Sequence, residues 1–206
     1  LRGHSFRIGA VAIFPDGGRL VTGSRDHTAI VWSVAACAAQ HVLTHRHGVE
    51  GVAALESVER VATLSSHGRV EVWNAATGET MSRLVELGYW WEDIFEGVLA
   101  FPHGGRLVAF GLHGAVIWDA ASGTRLHRLG NRTSGAAVSP SGDVLALCGG
   151  GRASVWDTTT GEILGEVEVS VADAGRGACS VSLVPGRALD PRGFGSGLPW
   201  SDMTRG

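Results

Sequence analysis

Three residues near the start of the chain are of the types that perform nucleophilic catalysis. His4, Ser24 and Asp26 could form a triad in which the carboxylate orients the imidazole and the imidazole deprotonates the hydroxyl. A nucleophilic serine typically lies on a strained turn, yet the chain has no G-x-S-x-G sequence. Residues 149–151 are three glycines, but no Lys-Ser or Lys-Thr follows them as in a phosphate-binding loop. These patterns do not predict an enzyme.

The histidines of the segment HVLTHRH could ligate a metal ion. In an extended strand His45 and His47 would point to the same side, and His41 lies four residues before His45. Metal sites usually add a carboxylate or cysteine ligand, and here the nearest acid is Glu50. We therefore interpret the segment as a solvated loop and expect neither a metal nor another cofactor.

Composition limits the classes of protein and partner. The chain has 206 residues, 44% of them hydrophobic and 18% charged, which favours a folded globular protein. The net charge of −3 and the lack of a Lys/Arg run predict no nucleic-acid partner, and no apolar stretch is long enough to span a membrane. Cys37, Cys148 and Cys179 lie far apart without a C-x-x-C motif, so we expect no disulfide framework, no zinc site and a cytoplasmic location.

A repeat runs through most of the chain. Four tryptophans end short β-branched runs at intervals of 41, 45 and 38 residues: Trp32, Trp73, Trp118 and Trp156. Similar turns follow three of them (NAATGET, DAASGTR and DTTTGEI), and the upstream turn FPDGGRLV returns as FPHGGRLV and SPSGDVLA. Since different turns keep the same phase over four copies, the chain is predicted to be a repeat protein.

Each copy is predicted to form four short β-strands. In the first copy the runs between turn residues are Ala10–Phe14, Leu20–Thr22, Thr28–Trp32 and Ala39–Leu43. The third strands are apolar on both faces, as expected for a sheet that lies between two neighbours. A four-stranded sheet of about 40 residues is stable only when it stacks on copies of itself. The fold class is therefore all-β.

The repeat resembles the WD40 repeat of β-propellers. The resemblance rests on Gly3-His4, on Asp26 six residues before Trp32, and on Trp-Asp at 118–119 and 156–157. It implies about four four-stranded blades over residues 1–170, and residues 171–206 as a partial blade, beginning at Cys179–Leu189, with an irregular tail. Propellers of this family usually have about seven blades. We therefore expect a partial propeller, with a small or dimer-closed ring as the alternative.

The resemblance also implies a structural hydrogen-bonded tetrad of His4, Thr22 (or Ser24), Asp26 and Trp32. In the second copy His45 and Thr63 fall in register with His4 and Thr22, whereas His67 replaces the aspartate. In the third copy Trp91 falls near the histidine position, and in the fourth Asn131 is a possible replacement. The triad-like residues of the first copy are thus expected to be structural.

In this family the loops before each blade and the turns that hold the aspartate gather on one face. By position, the face would present Arg7, Arg25, Arg46, His47, Tyr89, Trp90, His113, Arg132 and Arg152. Trp91 completes the cluster Tyr89–Trp91, which either anchors a partner or packs into a neighbouring blade. Mixed basic and aromatic groups favour an acidic or aromatic peptide over a small substrate.

The sequence therefore predicts a non-catalytic protein-protein interaction scaffold. The partner is expected to be a protein or peptide, and self-association or pairing with missing blades is a further expectation because an open arc exposes blade faces. The alternative is a regulatory or sensor segment of a larger bacterial signalling protein that carries a Ser/Thr kinase or signalling NTPase. An enzyme with a site in the channel would need carboxylates or histidines that converge there.

Overall fold

A computed structural model describes residues 2–55, 59–84, 95–103, 105–130 and 132–168. Within these ranges every helix or strand assigned is a β-strand. No helix in the described part of the chain could cross a membrane. The predicted all-β class is confirmed.

Sixteen strands form four antiparallel sheets, each a meander in chain order. The first sheet contains β1 (Ile8–Ile13), β2 (Arg19–Ser24), β3 (Thr28–Ser33) and β4 (Ala38–Thr44). The second contains β5 (Val49–Leu55), β6 (Arg60–Ser65), β7 (Val70–Asn74) and β8 (Thr80–Leu84). The third contains β9 (Phe95–Ala100), β10 (Arg106–Gly111), β11 (Gly114–Asp119) and β12 (Arg125–Leu129). The fourth contains β13 (Gly135–Val138), β14 (Val144–Gly149), β15 (Arg152–Asp157) and β16 (Ile163–Glu168).

The first strand is shifted toward the N-terminus relative to its prediction. It begins at Ile8, which pairs with Ser24, and the register then shifts before Ala10 pairs with Gly23. Such a shift marks a β-bulge, which adds one residue to a strand without extending its partner. The strand ends at Ile13 because the Phe14 amide instead closes the following turn on the Arg19 carbonyl (3.0 Å).

Adjacent sheets pack face to face through three apolar clusters. Val21 and Val31 of the first sheet share a cluster with Val61 and Trp73 of the second. Equivalent clusters join the second sheet to the third and the third to the fourth. In the described residues the first and fourth sheets do not pack together, so the arc is not closed.

The face of the first sheet that carries Trp32 has no described sheet against it. In the other three sheets the corresponding tryptophan packs toward the preceding sheet. Val11, Ile13 and Val42, which lie on the Trp32 face, are 65%, 67% and 57% exposed. The described arc therefore ends on an apolar surface.

Turns after the third strands are closed by side-chain oxygens. Asn74, Asp119 and Asp157 each accept two backbone N–H groups with one oxygen, as in an Asx turn. The backbone hydrogen bond from Ser122 is the main cause that lowers the pKa of Asp119, and that from Thr160 acts likewise on Asp157. The aspartate of each Trp-Asp pair is therefore a turn residue.

The two described cysteines differ in state. Cys37 is free and exposed, whereas Cys148 is disulfide-bonded. The sequence predicted that no disulfide framework is present, and one bonded cysteine does not by itself form a framework. Because a disulfide is unusual in a reducing compartment, the cysteines no longer support a cytoplasmic location, which stays a prediction.

We expect stability to depend on the clusters between sheets rather than on exposed apolar side chains. Leu107→Ala should lower the free energy of unfolding by about 3 kcal/mol, because Leu107 is fully buried between the second and third sheets. Leu126→Ala is the matched control, since Leu126 is 42% exposed. Urea unfolding followed by tryptophan fluorescence measures both. Equal losses in the two variants would contradict this packing scheme.

Candidate functional site

One hydrogen-bonded chain joins His4, Thr22, Asp26 and Trp32 in the first sheet. The Trp32 Nε1–H donates to the Thr22 hydroxyl oxygen (2.8 Å), which lies 2.7 Å from His4 Nε2. His4 Nδ1 lies 2.9 Å from the Asp26 carboxylate. Because a carboxylate only accepts, Nδ1 carries the proton and the Thr22 hydroxyl donates to Nε2. The imidazole is thus held in one orientation and one tautomer.

Ser24 does not belong to this chain. Its side chain is buried, and its hydroxyl donates to the backbone carbonyl of Arg7 (3.0 Å). Thr22, rather than Ser24, contacts the imidazole. A Ser-His-Asp triad needs the serine hydroxyl within reach of the imidazole, and the first sheet does not arrange these side chains in that way.

Asp26 is held in its ionised form. One carboxylate oxygen accepts from the Thr28 hydroxyl (2.6 Å) and amide (3.0 Å), and the other from the Ser5 amide (2.8 Å). Burial raises the pKa of Asp26, but the hydrogen bonds from Thr28, Ser5 and His4 outweigh it, so the pKa falls well below its ordinary value. The carboxylate thereby links the loop before β1 to the turn before β3.

The second sheet forms a similar chain with a carboxylate from a different element. The Trp73 Nε1–H donates to the Thr63 hydroxyl (2.9 Å), and His45 Nδ1 lies 2.9 Å from a Glu71 oxygen. The other Glu71 oxygen lies 3.0 Å from Arg83 Nε. His67 occupies the turn position of the aspartate, but Glu71 on β7 supplies the charge. The hydrogen bond from His45 is the main cause that lowers the pKa of Glu71.

His45 keeps one unsatisfied nitrogen. Its side chain is 1% exposed, and its Nε2 atom is buried without a hydrogen-bond partner. The Thr63 hydroxyl donates instead to the Glu71 backbone carbonyl (3.3 Å). A buried polar atom without a partner costs about 1–3 kcal/mol, so the second sheet is less completely satisfied than the first.

In the fourth sheet the tryptophan partner comes from the third strand, unlike in the first two sheets. The Trp156 Nε1–H donates to the hydroxyl of Ser154, two residues earlier on β15 (2.8 Å). Glu71 likewise precedes Trp73 by two residues. The predicted stand-ins for the histidine, Trp91 and Asn131, lie outside the described residues.

Loops and turns gather at one edge of the sheets, as the family resemblance implied. The Arg25 amide bonds the Arg7 carbonyl (3.0 Å), and the His45 amide of the second sheet bonds the His27 carbonyl of the first (2.8 Å). In the last two sheets the Thr133 amide bonds the Gly111 carbonyl (2.8 Å). We call the loop edge the segments 4–7, 25–27, 45–48, 66–69, 112–114, 132–134 and 149–152.

The loop edge carries seven of the ten predicted binding residues. Six are exposed and His47 is partly exposed; the exposed six are Arg7, Arg25, Arg46, His113, Arg132 and Arg152. Tyr89, Trp90 and Trp91 lie outside the described residues. Arg25 pairs with Glu50 (3.2 Å), and Arg152 pairs with Glu166 (3.3 Å).

The three histidines considered as metal ligands have separate environments. His45 contacts Glu71, His47 packs edge-on against His67 (4.1 Å between ring centroids), and His41 lies beside the turn at Gly78. Across the described residues, no three histidines, cysteines or acidic residues are grouped to hold a metal ion.

The second sheet contributes a cavity of about 270 Å³ at the loop edge. We call it the arginine pocket, and its lining residues are Thr44, His45, Arg46, His47, Ser65, Arg69, Glu71 and Arg83. The pKa of His47 lies below its ordinary value because of desolvation and then of the positive charges of His67, Arg69, His27 and Arg46. Three arginines and one glutamate line the pocket, so its net charge is positive.

Sequence reasoning missed Ser65, Arg69, Glu71 and Arg83. Glu71 is the one charged residue in the strand VEVWN, and the equivalent positions of the other third strands, two residues before the tryptophan, carry Ile30, Val116 and Ser154. Arg83 is the cross-strand partner of Glu71 in the register of β7 and β8. A charged residue within an otherwise apolar strand, opposite a residue of the other sign on the next strand, was the signal that could have located this pair.

The family model of the WD domain, G-beta repeat, matches residues 1–33. No curated protein matches the chain. The match supports the predicted WD40 repeat in residues 1–33, and the four four-stranded sheets in sequence are consistent with blades of a WD40-type propeller. WD40 repeats generally serve as protein-interaction scaffolds and are typically non-catalytic.

We expect acid to weaken the first sheet through Asp26. Because the folded-state pKa is depressed, the stabilisation is present above the ordinary value of 3.8 and is lost as the pH falls below it. Asp26→Asn should therefore be destabilised by roughly 2 kcal/mol at pH 7, and the difference from wild type should shrink below pH 4. Thermal unfolding from pH 3 to 7 measures this. Asp143→Asn, at an exposed aspartate, is the control; a pH-independent difference for Asp26→Asn would contradict the assignment.

We also expect His45 and Glu71 to be energetically coupled. A double-mutant cycle with His45→Ala and Glu71→Ala should give a coupling energy of about 1–2 kcal/mol, because the imidazole is buried and directly bonded. The same cycle on Arg152 and Glu166, which are 58% and 43% exposed, should give less than about 0.5 kcal/mol. Chemical denaturation measures both cycles. Similar values would show that the His45–Glu71 pair is no stronger than a surface contact.

Proposed function

We propose that the protein is a non-catalytic interaction scaffold that binds a peptide segment of a partner protein at the loop edge. The observation that carries the proposal is the convergence of Arg7, Arg25, Arg46 and His47 from the first two sheets. Their guanidinium groups can pair with carboxylates while their stems cover apolar surface. An acidic peptide is the partner that this charge fits.

Rigid sheets support the proposed role. The strands beneath the loop edge are buried and hydrogen-bonded along their length, so the loops are presented with little freedom to lose on binding. The groups that could have performed acid-base chemistry in the first sheet are used in hydrogen bonds inside the sheet. Presentation of a surface is thus the role that the geometry favours.

Selection from a displayed library of random peptides, with the 206-residue chain as bait, tests the proposal. We expect acid-rich peptides to be enriched, and Arg25→Ala to weaken their binding by about fivefold in fluorescence polarisation, as for loss of one charge-assisted contact. Arg125→Ala is the matched control, because Arg125 is also exposed but begins β12 beside Trp118, at the end opposite the loop edge.

Three results would count against the proposal. They are enrichment of no peptide, enrichment of basic peptides only, and an equal effect of Arg25→Ala and Arg125→Ala. Circular dichroism of both variants is needed to show that they are folded.

A further inference from the structure

The arginine pocket has the features of an anion site. We propose that it binds the phosphate group of a phosphorylated side chain on the partner. The inference rests on the proposed function, since it specifies a chemical feature of the peptide that the loop edge receives. It is carried by the charge, the donors and the size of the pocket.

The charge of the pocket matches that of a phosphate monoester. Three arginines and one glutamate line it, which leaves a formal charge of +2 with the histidines neutral. A phosphate monoester carries about −1.5 to −2 near pH 7. The lining carboxylate is already engaged, since one Glu71 oxygen lies against His45 and the other against Arg83. An incoming anion therefore meets a neutralised acid and two further guanidinium groups.

The donors in the pocket come from separate elements and can surround a tetrahedral anion. Arg46 belongs to the loop before β5, Arg69 to the turn before β7, and Ser65 ends β6. Guanidinium groups bind phosphate oxygens in pairs of parallel hydrogen bonds. The Ser65 hydroxyl donates to the Arg69 backbone carbonyl at 3.4 Å, and it would have to rotate away from that carbonyl to bind the anion. A carboxylate has fewer oxygens than a phosphate monoester and about half its charge. It would therefore form fewer hydrogen bonds and weaker ion pairs in the pocket.

Further basic residues lie around the pocket. His67 packs edge-on against His47, and His27 of the first sheet also lies close to it. Arg25 stands nearby but is paired with Glu50, which limits its contribution.

The volume of the arginine pocket fits a single phosphate group. Small-molecule and cofactor sites usually measure about 300–1,000 Å³. The arginine pocket, at about 270 Å³, falls below that range. It can hold one phosphate and the atoms that attach it to a peptide. Because the loop edge is proposed to receive a peptide, a phosphorylated side chain is the source that we infer for the phosphate.

Three probes test the pocket without a known partner: N-acetyl-O-phosphoserine amide, N-acetylglutamate amide and inorganic phosphate. Each is titrated into the labelled 206-residue chain while the ring resonances of His45 and His47 are followed by NMR. We expect saturable shifts at both rings with the phosphoserine probe, at least tenfold tighter than with the glutamate probe. Inorganic phosphate should bind no more tightly than the phosphoserine probe.

Substitutions of the lining arginines test whether the phosphoserine probe binds in the arginine pocket. Arg46→Ala with Arg69→Ala should weaken the phosphoserine probe at least tenfold, whereas Arg125→Ala should change its affinity less than twofold. Arg69→Gln alone is measured as well, so that the test survives if the double variant does not fold. Unshifted His45 and His47 resonances in wild type, or an affinity that is unchanged in Arg69→Gln and in the double variant, overturns the proposal.

The relative affinities of the three probes also test the proposal. A glutamate probe that binds as tightly as the phosphoserine probe, or inorganic phosphate that binds tenfold more tightly, overturns the assignment of a phosphorylated side chain. Failure of the peptide selection would count against the loop edge as a docking face but leave these titrations unaffected. Success of the selection with no phosphate binding would retain the scaffold and reject the pocket.

Discussion

Face-to-face packing between neighbouring sheets is the constraint on which the other features depend. A four-stranded sheet of this length has two apolar faces and cannot cover either of them by itself. Val21 and Val31 have no exposed surface because the second sheet lies over them, and Leu107 is buried between the second and third sheets in the same way. Since every sheet is a meander of the same order, stacking brings equivalent loops to the same edge. The loop edge is thus a consequence of how the sheets bury their cores.

The buried tryptophan of the third strand needs a hydrogen-bond acceptor for its indole N–H, and the sheets supply this acceptor from different strands. An indole N–H inside a sheet stack needs an acceptor, because leaving it unpaired costs about 1–3 kcal/mol. Thr22 and Thr63 on second strands supply this acceptor in the first two sheets, and Ser154 on the third strand does so in the fourth. Leu147 and Ser154 are paired in register, so the two positions are adjacent on one face. A hydroxyl can move between them without altering the fold.

Repetition explains why the fold could be predicted and why part of the site could not. The spacing of Trp32, Trp73, Trp118 and Trp156 and the recurring turns were sufficient for four four-stranded sheets. The contacts of His4 with Thr22 and Asp26 were implied by the resemblance to the WD40 repeat. Glu71 could not be found in this way, because alignment directs attention to the turn, where His67 stands. The arginine pocket combines side chains from four strands and two connections, and only the register of β7 with β8 places Arg83 beside Glu71.

The position of one carboxylate also explains why the first two sheets present different charges. In the first sheet Asp26 lies in the turn, where its negative charge stands beside Arg25 and binds His4. In the second sheet the carboxylate that holds the histidine is Glu71, within β7, and the turn is left with His67 and Arg69. The histidine keeps an acidic partner in both cases, although in the second sheet the other ring nitrogen of His45 has no hydrogen-bond partner. Glu71 still lines the arginine pocket, but its two oxygens face His45 and Arg83, so Arg46 and Arg69 give the pocket its net positive charge.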